Sequence, residues 1–115
     1  MANFEYSEEQ KEMRASVRRF AEAEIKPLVS SWDESQHFPR ELFPKMAGLG
    51  LTGVVFPETY GGAGGRFFHS VLAVEELSRV DPSIGVLVDV QNTLVINALV
   101  KWGNEDMKRR YMPKM

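Results

Sequence analysis

The sequence predicts an all-α fold, an up-and-down-like bundle of about five to six helices. Three observations carry this. Apolar residues recur at three- and four-residue spacing along most of the chain. Helix boundaries are marked by capping and stop residues: Ser7 with Gln10, Asp81 with Pro82, and Asn104 after Gly103. Strand character is confined to Val54-Val55-Phe56, which Pro57 closes at once.

Ser7 and Gln10 form a capping box, the serine accepting an orphan amide while the glutamine reaches back. Met13, Val17, Phe20, Ala21 and Ile25 then fall on one side. Pro27 would cost about 3 kcal/mol inside a helix but is tolerated in a first turn. A kink or restart is expected there, continuing through Leu28 and Trp32 and ending near Ser35. Phe38-Pro39 opens a second helix with Leu42, Phe43 and Met46 inward, ended by Gly48 and Gly50.

Val54-Val55-Phe56 reads as a short extended run. Tyr60-Gly61-Gly62-Ala63-Gly64-Gly65 is loop punctuation. The next helix, about residues 66–79, presents Phe67, Phe68, Val71, Leu72, Val74 and Leu77 as a wide apolar face. Asp81 caps the following helix with Pro82 in its first turn, and Gly103 stops it near Trp102. Asn104 caps the last helix, where Met107 and Tyr111 sit one turn apart.

Projected at about 100° per residue, the long helix puts Ile84, Val88, Val95, Ala98, Leu99 and Trp102 on one face, flanked by Leu87 and Gln91. This is its expected core face. Val86, Leu87, Val90 and Leu94 form a second stripe, and Ile96 and Val100 sit at the rear among Asp89, Thr93 and Asn97. A helix apolar over most of its girth is normally buried all round. Two readings stay open: a central helix that its short neighbours wrap, or a face left for a ligand or another domain.

The composition sets limits. The 115 residues suffice for one domain and one core. A net charge of −2 argues against nucleic acid or an anionic membrane surface as partner. Lys108-Arg109-Arg110 follows Glu105-Asp106, an order that matches the dipole of a short solvated helix. There are no cysteines, which removes disulfides, thiol chemistry and cysteine-ligated zinc. Asp89, Gln91, Asn92 and Asn97 interrupt the longest apolar stretch, so a soluble chain without a membrane span is expected.

Candidate sites in the residues themselves are few. The glycine loop lacks the dinucleotide spacing and is followed by no lysine, so a plain turn is expected rather than a phosphate cradle. Glu75 and Glu76 point about 100° apart on a helix and cannot act as a catalytic pair; Glu75 is placed to pair with Arg79. His37 is placed to pair with Asp33, and neither it nor His69 belongs to a set of metal ligands. No nucleophile–base set is readable, so no catalytic, cofactor-binding or metal residue is assigned.

Four stretches in order resemble the N-terminal helical domain of acyl-CoA dehydrogenases. They are Phe38 to Leu51 (FPRELFPKMAGLGL), Pro57 to Gly65 (PETYGGAGG), Val74 to Ser83 (VEELSRVDPS) and Gln91 to Met115. The resemblance runs from about Ser7 to Met115, and Ile25 to Ser35 and Asp89 to Leu94 are most similar to short/branched-chain members. It implies one N-terminal helical domain over residues 1–115, with the family's middle β-domain and C-terminal helical domain absent. In that family a glutamate base removes the α-proton of an acyl-CoA, FAD accepts hydride from Cβ, and electrons pass to an electron-transfer flavoprotein. Flavin contacts and the base come mainly from the other two domains, so this chain alone is expected to bind no FAD and to be inactive.

Carried over on Asn92-Thr93-Leu94, the family's acyl-pocket wall falls on Val86, Leu87, Val90 and Leu94, the second stripe. The resemblance further implies a homotetrameric parent in the cytoplasm of a bacterium or the mitochondrial matrix of a eukaryote, and self-association of the fragment. Two alternatives stay open: a stand-alone helical interaction module, and part of an acyl-CoA oxidase-like flavoenzyme.

Overall fold

The computed structural model describes residues 3–115, and all regular structure among them is helical. The helices are α1 (Glu8–Phe20), α2 (Val29–Ser35), α3 (Phe43–Gly48), α4 (Phe67–Ser78), α5 (Pro82–Val90), α6 (Asn97–Trp102) and α7 (Glu105–Tyr111). A π-helical stretch, Gln91–Ile96, joins α5 to α6 into one helix from Pro82 to Trp102. Counting that helix once gives the all-α bundle that the sequence predicts. It forms a flat slab of 42 × 42 × 20 Å.

The helix starts follow local chemistry. The Ser7 side chain accepts from the Gln10 amide at 3.2 Å, and the Gln10 side chain accepts from the Ser7 amide at 2.9 Å. Asp81 accepts from the Ser83 amide, and Asn104 from the Met107 amide. Before Pro27 the helix widens: Ala21–Ile25 is π-helical, and the Lys26 amide donates to Ala21 O five residues back. The chain turns through residues 26–28 and restarts as α2, which ends at Ser35 with Gln36 left-handed at φ 54°.

α1 packs on α4, and α4 packs on α5. Gly85 allows the second contact, since a Cβ there would lie 2.0 Å from Ser78 Oγ. Val17, Ala21 and Ile25 meet Leu42, Met46, Leu51, Ala73, Leu77, Ile84 and Val88 in the main core. A smaller core joins Phe56, Ile96 and Met112. Asn92 is buried on the long helix between Val88 and Ile96, so a polar side chain separates the two.

Three expectations are corrected. Residues 54–56 form bends rather than an extended run, with Val54 in the right-handed helical region. Their carbonyls face the glycine loop and not a neighbouring strand: Gly65 N donates to Val54 O at 2.7 Å and Gly64 N to Phe56 O at 3.0 Å. On α4, Leu72 and Leu77 are buried, but Phe67, Phe68 and Val71 are exposed.

The third correction concerns the long helix. Its buried face is Ile84, Val88, Asn92 and Ile96, in steps of four, with Leu99 half-buried beyond. Val95, Ala98 and Trp102, expected on the core face, are exposed, and Ile96, expected at the rear, is fully buried. The cause is the π turn. Four residues overshoot an α-helical turn by about 40°, and the wider i→i+5 turn takes that overshoot back.

By length and mean hydropathy, 21 residues at 1.5, the helix Pro82–Trp102 also fits a membrane span. It packs against α4 on one side, and Asn92 ties it to the 51–54 turn.

Candidate functional site

The outward surface of the long helix is the first candidate. Asp81 and Pro82 fix its start, and Ile84 and Val88 fix which side faces the core. Val86, Val90 and Leu94 are therefore turned outward, 57%, 38% and 63% exposed. They follow one another at four-residue steps and form an apolar stripe. Leu87 is set apart from them. It is half-buried, packs against the main core, and lines a recess of about 510 Å³ with Val29, Trp32, His37 and Ser83.

A second apolar surface lies at the other end of the helix. Val95, Ala98, Leu99 and Trp102 face Met107 and Tyr111 of α7 across an open groove of about 450 Å³. Trp102 is 85% exposed.

The glycine loop is closed on itself. Successive amides from Gly61 to Gly65 donate to the carbonyls of Glu58, Pro57, Gly53, Phe56 and Val54. Gly62 is required by close approach, because a Cβ would lie 2.1 Å from Phe56 O. With these amides engaged, the loop offers no cradle for a phosphate. Tyr60 ties its start to α7, donating to Glu105 Oε2 at 2.6 Å, and this bond holds the Tyr60 phenol above its ordinary pKa.

Glu76 was missed as a structural centre by sequence reasoning. It is 1% exposed, on the inward side of α4 beside Leu72, Ala73 and Leu77. Arg14 Nε donates to its Oε1 at 3.0 Å and Arg18 Nε to its Oε2 at 2.9 Å. Arg79, expected to pair with Glu75, instead lies 3.7 Å from Glu76 at the i+3 position. Burial pushes the Glu76 carboxyl up, but the hydrogen bonds from Arg18 and Arg14 outweigh it and hold the group below the usual carboxylate range. A carboxylate so saturated clamps α1 to α4 and is not a base. The available signal was Arg14 and Arg18 one turn apart on α1, opposite a lone acid on an apolar face.

The histidines are separate. His37 pairs with Glu41 at 3.0 Å, one turn ahead, rather than with Asp33. His69 Nδ1 accepts from the Arg66 amide, which leaves the proton on Nε2. That nitrogen is buried without a hydrogen-bond partner among the described residues, 3.8 Å from Glu9 Oε1. No group of three His, Asp or Glu side chains among the described residues is placed to hold a metal.

The family model for the acyl-CoA dehydrogenase N-terminal domain matches residues 7–115. The mitochondrial short/branched chain specific acyl-CoA dehydrogenase of Bos taurus is 36% identical over 110 residues, 96% of this chain and 26% of that protein. The short-chain specific acyl-CoA dehydrogenase of Clostridium acetobutylicum is 38% identical over 110 residues, 96% of this chain and 29% of that protein. The solved structure of a glutaryl-CoA dehydrogenase from Mycobacterium smegmatis in complex with FADH2 superposes with a TM-score of 0.90 at 30% identity. That superposition covers 95% of this chain and 28% of that one. The chain thus spans little more than a quarter of the length of these relatives. Its helical order and this match over nearly all its residues show that the chain belongs to the acyl-CoA dehydrogenase family, in the part that forms the N-terminal helical domain.

Proposed function

We propose that this chain is the N-terminal domain of a flavin-dependent enzyme that desaturates short or branched acyl-CoA between Cα and Cβ. Val86, Val90 and Leu94, with Leu87 beside them on the recess side, form one wall of its acyl site. The observation that carries this is the outward stripe of Val86, Val90 and Leu94 on a helix whose other side is anchored in the core. Such a wall does no chemistry. It takes apolar carbons out of water, excludes solvent and limits acyl length.

A middle β-domain and a C-terminal helical domain complete the enzyme, supplying the glutamate base and the flavin site. FAD, which takes up the hydride, belongs to that whole protein. The glycine loop of this chain does not fit its phosphates, because the loop's amides bond to the chain's own carbonyls. An acyl-CoA substrate, an electron-transfer flavoprotein and a homotetrameric assembly go with the same reading. So does a mitochondrial matrix or bacterial cytoplasmic location; the relatives include a mitochondrial enzyme and one from Clostridium acetobutylicum.

A second reading, a helical interaction module without redox activity, is favoured by the apolar groove between Val95 and Tyr111. A chimera decides between them. Residues 7–115 replace the matched segment of the Clostridium acetobutylicum relative. On the enzyme reading the chimera holds flavin and reduces an artificial acceptor with butyryl-CoA. A folded, flavin-loaded chimera without that activity leaves the interaction module.

A further inference from the structure

The long helix carries a π turn beside the proposed wall, and the side chains of Asn92 and Thr93 bond back to the carbonyls just before it. In an α-helix Val88 O and Asp89 O would accept from the backbone amides of Asn92 and Thr93. Here side chains donate to both carbonyls: Asn92 Nδ2 to Val88 O at 2.9 Å, and Thr93 Oγ1 to Asp89 O at 2.8 Å. Side-chain donors that reach the i−4 carbonyl loosen and bend a helix at that point.

Asn92 does more than this. Its Nδ2 also donates to Leu51 O and its Oδ1 accepts from Val54 N, both at 2.8 Å. The carboxamide is fully engaged and 1% exposed, so the 51–54 turn grips the helix at the π stretch. The consequence is one of register. Without the wider turn, Leu94 would lie beside Leu87, about 80° round from Val86, and Ile96 would leave the smaller core.

We propose that Asn92 is a positioning residue for the acyl wall: its carboxamide holds the π turn that keeps Leu94 in register with Val86 and Val90. The reading of the stripe as an acyl wall underlies the functional half of this proposal. The register half needs no substrate, so the two fail separately.

The chain has no cysteine, so single cysteines report position cleanly. Val86→Cys, Leu94→Cys and Ile96→Cys are made in the wild-type chain and in Asn92→Leu, and thiol alkylation rates are measured. In the wild-type background positions 86 and 94 react fast and 96 slowly. With Asn92→Leu, position 94 slows or position 96 speeds up by about tenfold, while position 86 is unchanged. Unchanged rates at both 94 and 96 in a folded Asn92→Leu chain overturn the proposal.

Where Asn92→Leu unfolds the chain, a deletion of Thr93 in the same variant decides. It removes the extra residue of the turn and lets a plain α-helix keep the register. Recovery of helicity with the wild-type rate pattern upholds the proposal, and failure to recover them overturns it. In the flavin-loaded chimera, Asn92→Leu alters the acyl chain-length profile if the stripe is the wall. A register change without a profile change refutes the wall and leaves the register role standing.

Discussion

Arg18 holds Glu76 with two hydrogen bonds, Nε to Oε2 at 2.9 Å and Nη2 to Oε1 at 3.1 Å, across 58 residues of sequence. The acceptor is buried, while Arg18 is half exposed. This pair, with Arg14, sets the docking of α1 on α4, and it has a pH signature.

The Glu76 carboxyl is held below its ordinary value in the folded chain. A depressed carboxyl contributes stability that is complete above the unfolded value of about 4.3 and is lost as pH falls through the folded value. Urea unfolding between about pH 6 and pH 3 should show a falling midpoint, and Glu76→Gln should flatten that fall. Glu76→Ala at neutral pH is expected to cost roughly 3 kcal/mol, the low end for breaking a buried pair, because the arginine heads reach water. An unchanged urea midpoint in Glu76→Ala would show that the clamp contributes nothing.

Leu87→Phe is expected to destabilise this chain. Leu87 is half-buried against the main core, and extra bulk in a packed site costs about 1–3 kcal/mol. Val90→Phe, on the exposed stripe, should leave the unfolding midpoint unchanged. Equal midpoints for the two variants would place Leu87 outside the core contact.

The isolated chain should self-associate. Val86, Val90 and Leu94 form an uncovered apolar stripe, and the groove by Trp102 adds a second exposed surface. Light scattering should report oligomers, and an apolar dye should bind. Val90→Lys with Leu94→Lys should lower both without loss of helicity. A monomer with little dye binding at high concentration contradicts this.

The chain alone should purify without flavin and should not reduce an artificial acceptor with butyryl- or 2-methylbutyryl-CoA. Its glycine-loop amides are bonded to the chain's own carbonyls, and its most buried carboxylate, Glu76, is tied to arginines. Stoichiometric flavin absorbance in the purified chain would refute this.

What was legible in the sequence was local. The caps at Ser7, Asp81 and Asn104 depend on neighbours within three residues, and all three form as their residues dictate. The inward set Val17, Ala21 and Ile25 was legible although Ala21–Ile25 is π-helical, because residues four apart stay on one side of either helix. The core face beyond Val88 was not. It shifts at the π turn, held by Asn92 bonds to Leu51 and Val54, some 40 residues earlier in the chain. A period of 3.6 carries no trace of a partner that distant. Glu76 was only faintly legible: Arg14 and Arg18 one turn apart hint at an acidic partner, but spacing does not say which acid some 60 residues on is brought against them. The stripe of Val86, Val90 and Leu94 was readable because four-residue steps keep all three on one side even at the plain helical period; the π turn then brings Leu94 closer in line with the other two.

The measurement that bears most directly on the acyl-wall reading is the chain-length profile of the flavin-loaded chimera with and without Val90→Phe. The account predicts that the bulkier residue moves the preferred substrate to shorter acyl chains at unchanged flavin content. Each methylene lost from an apolar pocket changes discrimination by about 1–3 kcal/mol. An identical profile for Val90→Phe and the parent chimera would contradict it, because the exposed stripe of the long helix would then not face the acyl chain.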